Sequence, residues 1–211
     1  MLELVVIEHL EPRLSKWLLI EYEHVSEIVG RERLWFTNVK GEEDRRRLEP
    51  LAARVLSERV WEVKLPYDVI VLDPLAPSEL TPEDFSEPAC VVVGGIMGDY
   101  PPVGRTREEL TSKLQGAKAR NIGPWQFQID GAVYVAVEVN RGRRLREIPL
   151  ILGLTLKSEE GHEIYLPYAY PVVNGKPLIS KKEVEYILKE LEEDEAELIK
   201  REGAVLSVAS L

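Results

Sequence analysis

The chain has 211 residues, is 45% apolar and 30% charged, and carries 27 Lys and Arg against 37 Asp and Glu, a net charge of −10. That length suits one domain with a sizeable core, and the composition excludes a disordered or collagen-like chain. The acidic balance repels free nucleic acid on average and attracts a basic partner. Cys90 is the one cysteine, so no disulfide can form within the chain and a reducing compartment is expected. Residues 1–8 lack the basic start and apolar stretch of a signal peptide, and no segment approaches the ~18 apolar residues of a membrane span, so a cytoplasmic protein is expected.

In chain order, residues 2–7 read as a buried strand. Ser15 can cap a helix to Val29, with Leu14, Leu18, Tyr22, Val25 and Val29 on one face and Gly30 as the stop. Residues 34–39 predict a second strand, and residues 43–58 a charged amphipathic helix with Leu48, Leu51, Ala52, Val55 and Leu56 inward. The apolar run 69–72 fits a strand buried on both faces. Thr81-Pro82 starts a short helix, with Pro at the first helical position. Residues 89–93 form another buried strand. Thr106-Arg107-Glu108-Glu109 reads as a capping box opening a helix to Leu114. Residues 117–122 are a short strand, and Asp130 caps a helix of about three turns.

Beyond residue 145 the pattern changes. Residues 148–156 and 163–168 look antiparallel around Ser158-Glu159-Glu160-Gly161. Ser180-Lys181-Lys182-Glu183 reads as a second capping box opening a long, acidic terminal helix. The alternation of strands and helices through residue 145 predicts an α/β fold: a mainly parallel sheet with helices on both faces. Residues 1–145 are then the core, and residues 146–211 a β-hairpin and C-terminal helix packed on it.

The most informative stretch is 91–106, an apolar strand running into Gly94-Gly95-Ile96-Met97-Gly98-Asp99-Tyr100-Pro101-Pro102-Val103-Gly104-Arg105. Glycine lets backbone approach a ligand, and the paired prolines limit the loop's freedom. The same composition also suits a tight structural crossover. In an open parallel sheet, ligands bind beyond the carboxyl ends of the strands. Leu72-Asp73-Pro74, this loop, and Asn121-Ile122-Gly123-Pro124-Trp125 would lie there. No GxGxxG or GxxxxGK[ST] occurs, which disfavours a dinucleotide or P-loop site. His9, His24 and His162 lack metal-ligand spacing, and no GxSxG elbow is present. His24, three residues after Glu21 on a helix, reads as a surface pair. Arg45-Arg46-Arg47 and Arg141, Arg143, Arg144, Arg146 are local basic clusters. Glu8 and Glu21 stand beside apolar segments, where a carboxylate needs partners.

Ile7-Glu8-His9, Ser15, Trp17, Glu21-Tyr22, Leu72-Asp73-Pro74, Gly94 to Asp99, Pro101-Pro102, Arg105-Thr106, Asp130 with Ala132, and Gly175-Lys176-Pro177 occur in one order along nearly the whole chain. In this the sequence resembles the archaeal and eukaryotic branch of the SPOUT methyltransferases. That resemblance implies a deep trefoil knot and an S-adenosylmethionine site on the knot loops. The cofactor residues it implies are Leu72, Asp73, Pro74, Gly94, Gly95, Ile96, Gly98, Asp99, Ile122, Gly123, Asp130 and Val133. It implies methylation of an arginine of a small-subunit ribosomal protein, or alternatively of rRNA or tRNA. Arginine is protonated at neutral pH, so carboxylates must orient it and take its proton. Asp99 is the first candidate, with Glu8 and Glu21 behind it. Arg105 is placed to pair with the cofactor carboxylate or to lock the loop. Monomer and homodimer both remain open.

Overall fold

Six strands form one parallel sheet in the computed structural model, which describes residues 1–97, 104–158, 161, 163–192, 194 and 196. They are β1 (Leu2–His9), β2 (Leu34–Thr37), β3 (Arg54–Val55), β4 (Asp68–Leu72), β5 (Ala89–Gly95) and β6 (Lys118–Arg120). Their order is β3-β2-β1-β5-β4-β6. From β4 the chain turns inward to β5, between β4 and β1, then passes outward beyond β4 to reach β6.

The uninterrupted apolar runs follow from burial on both faces. Val5, Ile7, Ile70, Leu72, Val91 and Val93 pack on one side with α1 (Lys16–Val29) and α4 (Ile129–Asn140). Leu4, Val6, Val71, Cys90 and Val92 pack on the other with Val60 and Leu110. That second face is covered mainly by short turns, among them those at Val60–Glu62 and Thr111–Lys113, the latter following α3 (Arg105–Glu109) in the chain. A separate antiparallel sheet joins β7 (Leu150–Lys157), β8 (Glu163–Val173) and β9 (Lys176–Pro177). Tyr170 and Leu166 of β8 share a third apolar cluster with Ile20 of α1 and with Tyr186 and Ile187 of α5 (Lys181–Lys189). Among the described residues no helix is long and apolar enough to cross a membrane.

Three local expectations are corrected. Residues 43–58 are not one helix: α2 covers Glu42–Leu48, a 3-10 turn covers Glu49–Leu51, and the chain then extends into β3. Pro50 lacks the N–H that an α-helix would need there and clashes with the preceding turn, so the helix stops. Thr106 does not cap α3. The cap is Gly104 at φ 76, and Glu109 takes the guanidinium of Arg105 instead. Asp130 lies inside α4 rather than ahead of it, with Gln128 at the cap position.

Ser15 caps α1 as expected, accepting from the Leu18 N–H at 3.1 Å. Ser180 accepts from the Glu183 N–H at 3.1 Å, but Glu183 does not close the box, because its carboxylate is held by Trp17 and Gln128. The expected turn at Glu159-Glu160 and the far end of the terminal helix lie outside the described residues.

Candidate active site

A cavity of about 510 Å³ opens at the carboxyl ends of β4, β5 and β6. The end of β4 contributes Leu72, Asp73, Pro74 and Leu75, the β5 end Val93, Gly94 and Ile96, and the start of α3 Gly104, Arg105 and Thr106. The chain between β6 and α4 closes it with Ile122, Gly123, Trp125, Gln126, Phe127, Gln128 and Ile129. Its volume lies within the ~300–1,000 Å³ of small-molecule sites, and its walls are mainly apolar with a few polar groups.

The loops are tied by named contacts. Asp73 accepts from the Leu75 N–H at 2.8 Å and from Arg107 Nε at 2.7 Å, fixing the β4 end to α3. Arg105 donates to Glu11 Oε1 at 2.9 Å and to Glu109 Oε1 at 2.8 Å, and its pKa is raised first by Glu109 and then by Glu11. Glu11 Oε1 also accepts from the Met97 N–H at 3.0 Å. Glu11, which carries no signal in the sequence, therefore latches the loop after β1 to both sides of residues 98–103.

Behind the wall formed by Gln128 and Ile129 sits a buried polar group. Glu21 Oε2 accepts from the Ile129 N–H at 2.9 Å. Asp130 accepts from His24 Nδ1 at 2.6 Å and from the Gly131 N–H at 2.7 Å. Glu183 Oε1 accepts from Trp17 Nε1 at 3.1 Å and from Gln128 Nε2. Burial, then the charge of Asp130, pushes Glu183 up to about 7 against the hydrogen bonds of Gln128 and Trp17. Glu21 is pushed well up by burial, then by Asp130 and Glu183. Burial alone would lower His24, but its hydrogen bond to Asp130 and that carboxylate's charge leave it raised. His24 is thus the partner of a buried carboxylate, not a surface pair with Glu21.

The expected site residues divide. Leu72, Asp73, Pro74, Gly94, Ile96, Ile122, Gly123 and Arg105 all line the cavity. Gly95 does not: a Cβ there would meet Tyr22 Oη at 2.0 Å, so its glycine serves packing beneath the loop. Val133 is fully buried in the main core, and Asp130 faces His24. Glu8 is set apart from the cavity, accepting from Thr37 Oγ1 at 2.6 Å, the Val60 N–H at 2.9 Å and Arg59 at 3.3 Å. It fastens β1 to β2 and to the turn at Val60–Glu62; burial raises its pKa despite those bonds. Gly98 and Asp99 lie outside the described residues.

An apolar cavity at the strand ends of an open parallel sheet, roofed by a helix start and latched by a carboxylate, defines a cofactor-binding α/β protein. A family model described as SFM1-like, protein arginine N-methyltransferase SFM1-like, matches residues 4–194. The protein arginine N-methyltransferase SFM1 of Saccharomyces cerevisiae is 28% identical over 200 residues, covering 88% of this chain and 94% of its own. The crystal structure of yeast SFM1 complexed with SAM aligns with a TM-score of 0.80 at 28% identity, covering 90% of this chain and 92% of that one. The complex with SAH aligns at 0.79 and 27%, covering 88% and 94%. The chain belongs to the SFM1-like family of protein arginine N-methyltransferases.

The lining fits S-adenosylmethionine. Leu72, Leu75, Ile122, Phe127 and Ile129 offer apolar surface for an adenosyl group, while Arg105, bonded to Glu11 and Glu109, holds the wall in place. Gln126 Oε1 is a buried acceptor with no partner, suited to a hydroxyl or ammonium donor.

Proposed function

We propose that the protein transfers a methyl group from S-adenosylmethionine to a guanidinium nitrogen of an arginine in a basic ribosomal protein. The observation that carries this reading is the family match over residues 4–194, which spans every strand end that lines the cavity. Bound there, the cofactor supplies an electrophilic methyl: its C–S bond breaks as the N–C bond forms, leaving a neutral thioether and releasing one proton. The chain's own residues have to align the guanidinium with that methyl, which is a large part of the rate enhancement, and to take the proton. Asp99, between Ile96 and Gly104 in sequence, is the carboxylate we assign to the proton. The passage from β4 inward to β5 and outward to β6 supports the threaded, knotted arrangement that the resemblance implies.

A protein substrate is supported over RNA by charge pairing. Arg141 and Arg143 both bind Glu138, at 2.6 and 2.8 Å, and Arg45 and Arg46 pair with Glu49 and Glu42 at 3.4 and 3.5 Å. Cations already facing carboxylates have less to offer a phosphate backbone. Incubation with radiolabelled S-adenosylmethionine and undermethylated ribosomal subunits should place the label in protein. Label found only in RNA would overturn the reading.

A further inference from the structure

Gln128 Oε1, Tyr170 Oη and Glu183 Oε2 are buried polar atoms without a hydrogen-bond partner. Gln126 is joined to β8 beside Tyr170, its carbonyl accepting from the Ala169 N–H at 2.8 Å. Gln128 Nε2 donates to Glu183 Oε1, which also accepts from Trp17, so one oxygen of Glu183 is occupied and the other is free. Tyr170 packs with Tyr186 and Ile187 of α5, the helix that carries Glu183, and burial, then the charges of Glu183 and Asp130, raises its phenol. Glu21 and Asp130 complete the group, with His24 the imidazole bonded to it.

Buried acceptors are normally paired, and buried carboxylates normally face cations. Here carboxylates and amide oxygens outnumber the donors, and the group has one imidazole for three acids. The missing complement is a cation made wholly of donors. A guanidinium is that: planar, always charged, five N–H donors and no acceptor. Among the described residues no three His, Cys, Asp or Glu side chains converge as a metal ion requires, which points to an organic cation. Gln128 belongs both to this group and to the cavity lining, so a cation held here would lie beside the cofactor cavity.

We propose that Glu183, Gln128 and Tyr170 form the subsite that receives the guanidinium of the substrate arginine, with Trp17 and His24 positioning the carboxylates. This rests on the arginine methyltransferase reading above. Glu183 Oε2, Gln128 Oε1 and Tyr170 Oη accept from the guanidinium, and Asp130 together with Glu183 in its ionised form supplies the negative charge that favours a cation in a desolvated site.

The test is equilibrium binding to the full chain saturated with S-adenosylhomocysteine, with Nα-acetyl-arginine amide as probe and the citrulline and lysine amides as controls. Arginine amide should bind at least tenfold tighter than either control. E183Q and Y170F should each weaken it at least fivefold, with S-adenosylhomocysteine affinity changed less than twofold. Y170F is the sharper variant. It removes an oxygen that has no partner in the free protein, so a purely structural role predicts no loss of binding and no loss of stability. Equal binding of arginine and citrulline amides, or unchanged arginine binding in both variants, would overturn the subsite. Label entering only RNA while arginine amide still binds selectively would overturn the methyl-transfer reading and leave the subsite standing. Label entering protein with no selectivity among the amides would do the reverse.

Discussion

Gly95 lies under the candidate site without lining it, and its reason is steric. A Cβ there would stand 2.0 Å from Tyr22 Oη, 3.0 Å from Ile7 Cγ2 and 3.1 Å from the Glu8 carbonyl oxygen. Tyr22 cannot yield easily, because it is fully buried, packs on Phe36 at 4.9 Å between ring centroids and hydrogen-bonds His9 at 3.1 Å. Overpacking of this kind costs about 1–3 kcal/mol. Gly95→Ala should therefore lower the free energy of urea unfolding by that amount. Y22F removes the clashing oxygen, so the double variant should recover part of the loss; simple additivity of the two changes would show that the hydroxyl is not the obstacle. At Asp99 the expectation is chemical. Asp99→Ala should retain cofactor binding by calorimetry and lose turnover by the ~10²–10⁴-fold typical of a positioned acid or base. Undiminished turnover would remove Asp99 from the proton's path.

The latch from Glu11 ties together the two described flanks of the loop. One carboxylate oxygen holds the Met97 N–H before residues 98–103 and the Arg105 guanidinium after them. Glu11→Ala frees Met97 and Arg105 from one another, so cofactor binding has to hold both in place without that tie. Calorimetry should then give about tenfold weaker S-adenosylmethionine binding, which is ~1.4 kcal/mol. The same global stability is expected, since Glu11 is partly exposed. Elements of this kind mark where sequence reading succeeds and where it stops. Ile70 to Leu72 and Val91 to Val93 were legible because a parallel strand covered on both faces leaves an unbroken apolar run. The cavity's position followed from those strand ends. The apolar periodicity of residues 43–58 fits a helix, but Pro50 ends α2 at Leu48 and the chain extends into β3. Glu183 was hidden behind its capping-box spacing, although its carboxylate reaches across to Trp17 and Gln128. Nothing local marks partnerships between residues 166 and 55 positions apart. Glu8 was legible as a carboxylate needing partners but not as a fastener, since Thr37, Arg59 and Val60 reach it only once the sheet has formed.

At the scale of the whole molecule, the buried carboxylates couple folding to pH. Glu183 is fully buried and titrates at about 7, above its ordinary 4.5. The folded chain therefore holds a proton that the unfolded chain has shed between about pH 4.5 and 7. Stability linked to that proton is complete below the lower value and is lost as pH rises through the upper one. Glu21 and Glu8, both raised by burial, act in the same direction, and so does His24, raised by Asp130. His9, lowered by burial, opposes them: its contribution is present above its ordinary 6.5 and is lost as pH falls. The carboxylates outnumber it, so the melting temperature should rise between pH 8 and pH 6. Glu183 alone contributes on the order of 1.4 kcal/mol between pH 8 and pH 6, about one pH unit of its window, which for a chain of this size corresponds to roughly 3–5 °C. E183Q cannot titrate and should flatten that rise. A variant that keeps the parent's full pH slope would show that Glu183 is not the group responsible. Arginine binding should follow the opposite course, strengthening from pH 6 to pH 8 as Glu183 loses its proton. The pH range in which the substrate's cation is held best is then the range in which the free protein is least stable, because one uncompensated carboxylate produces both effects.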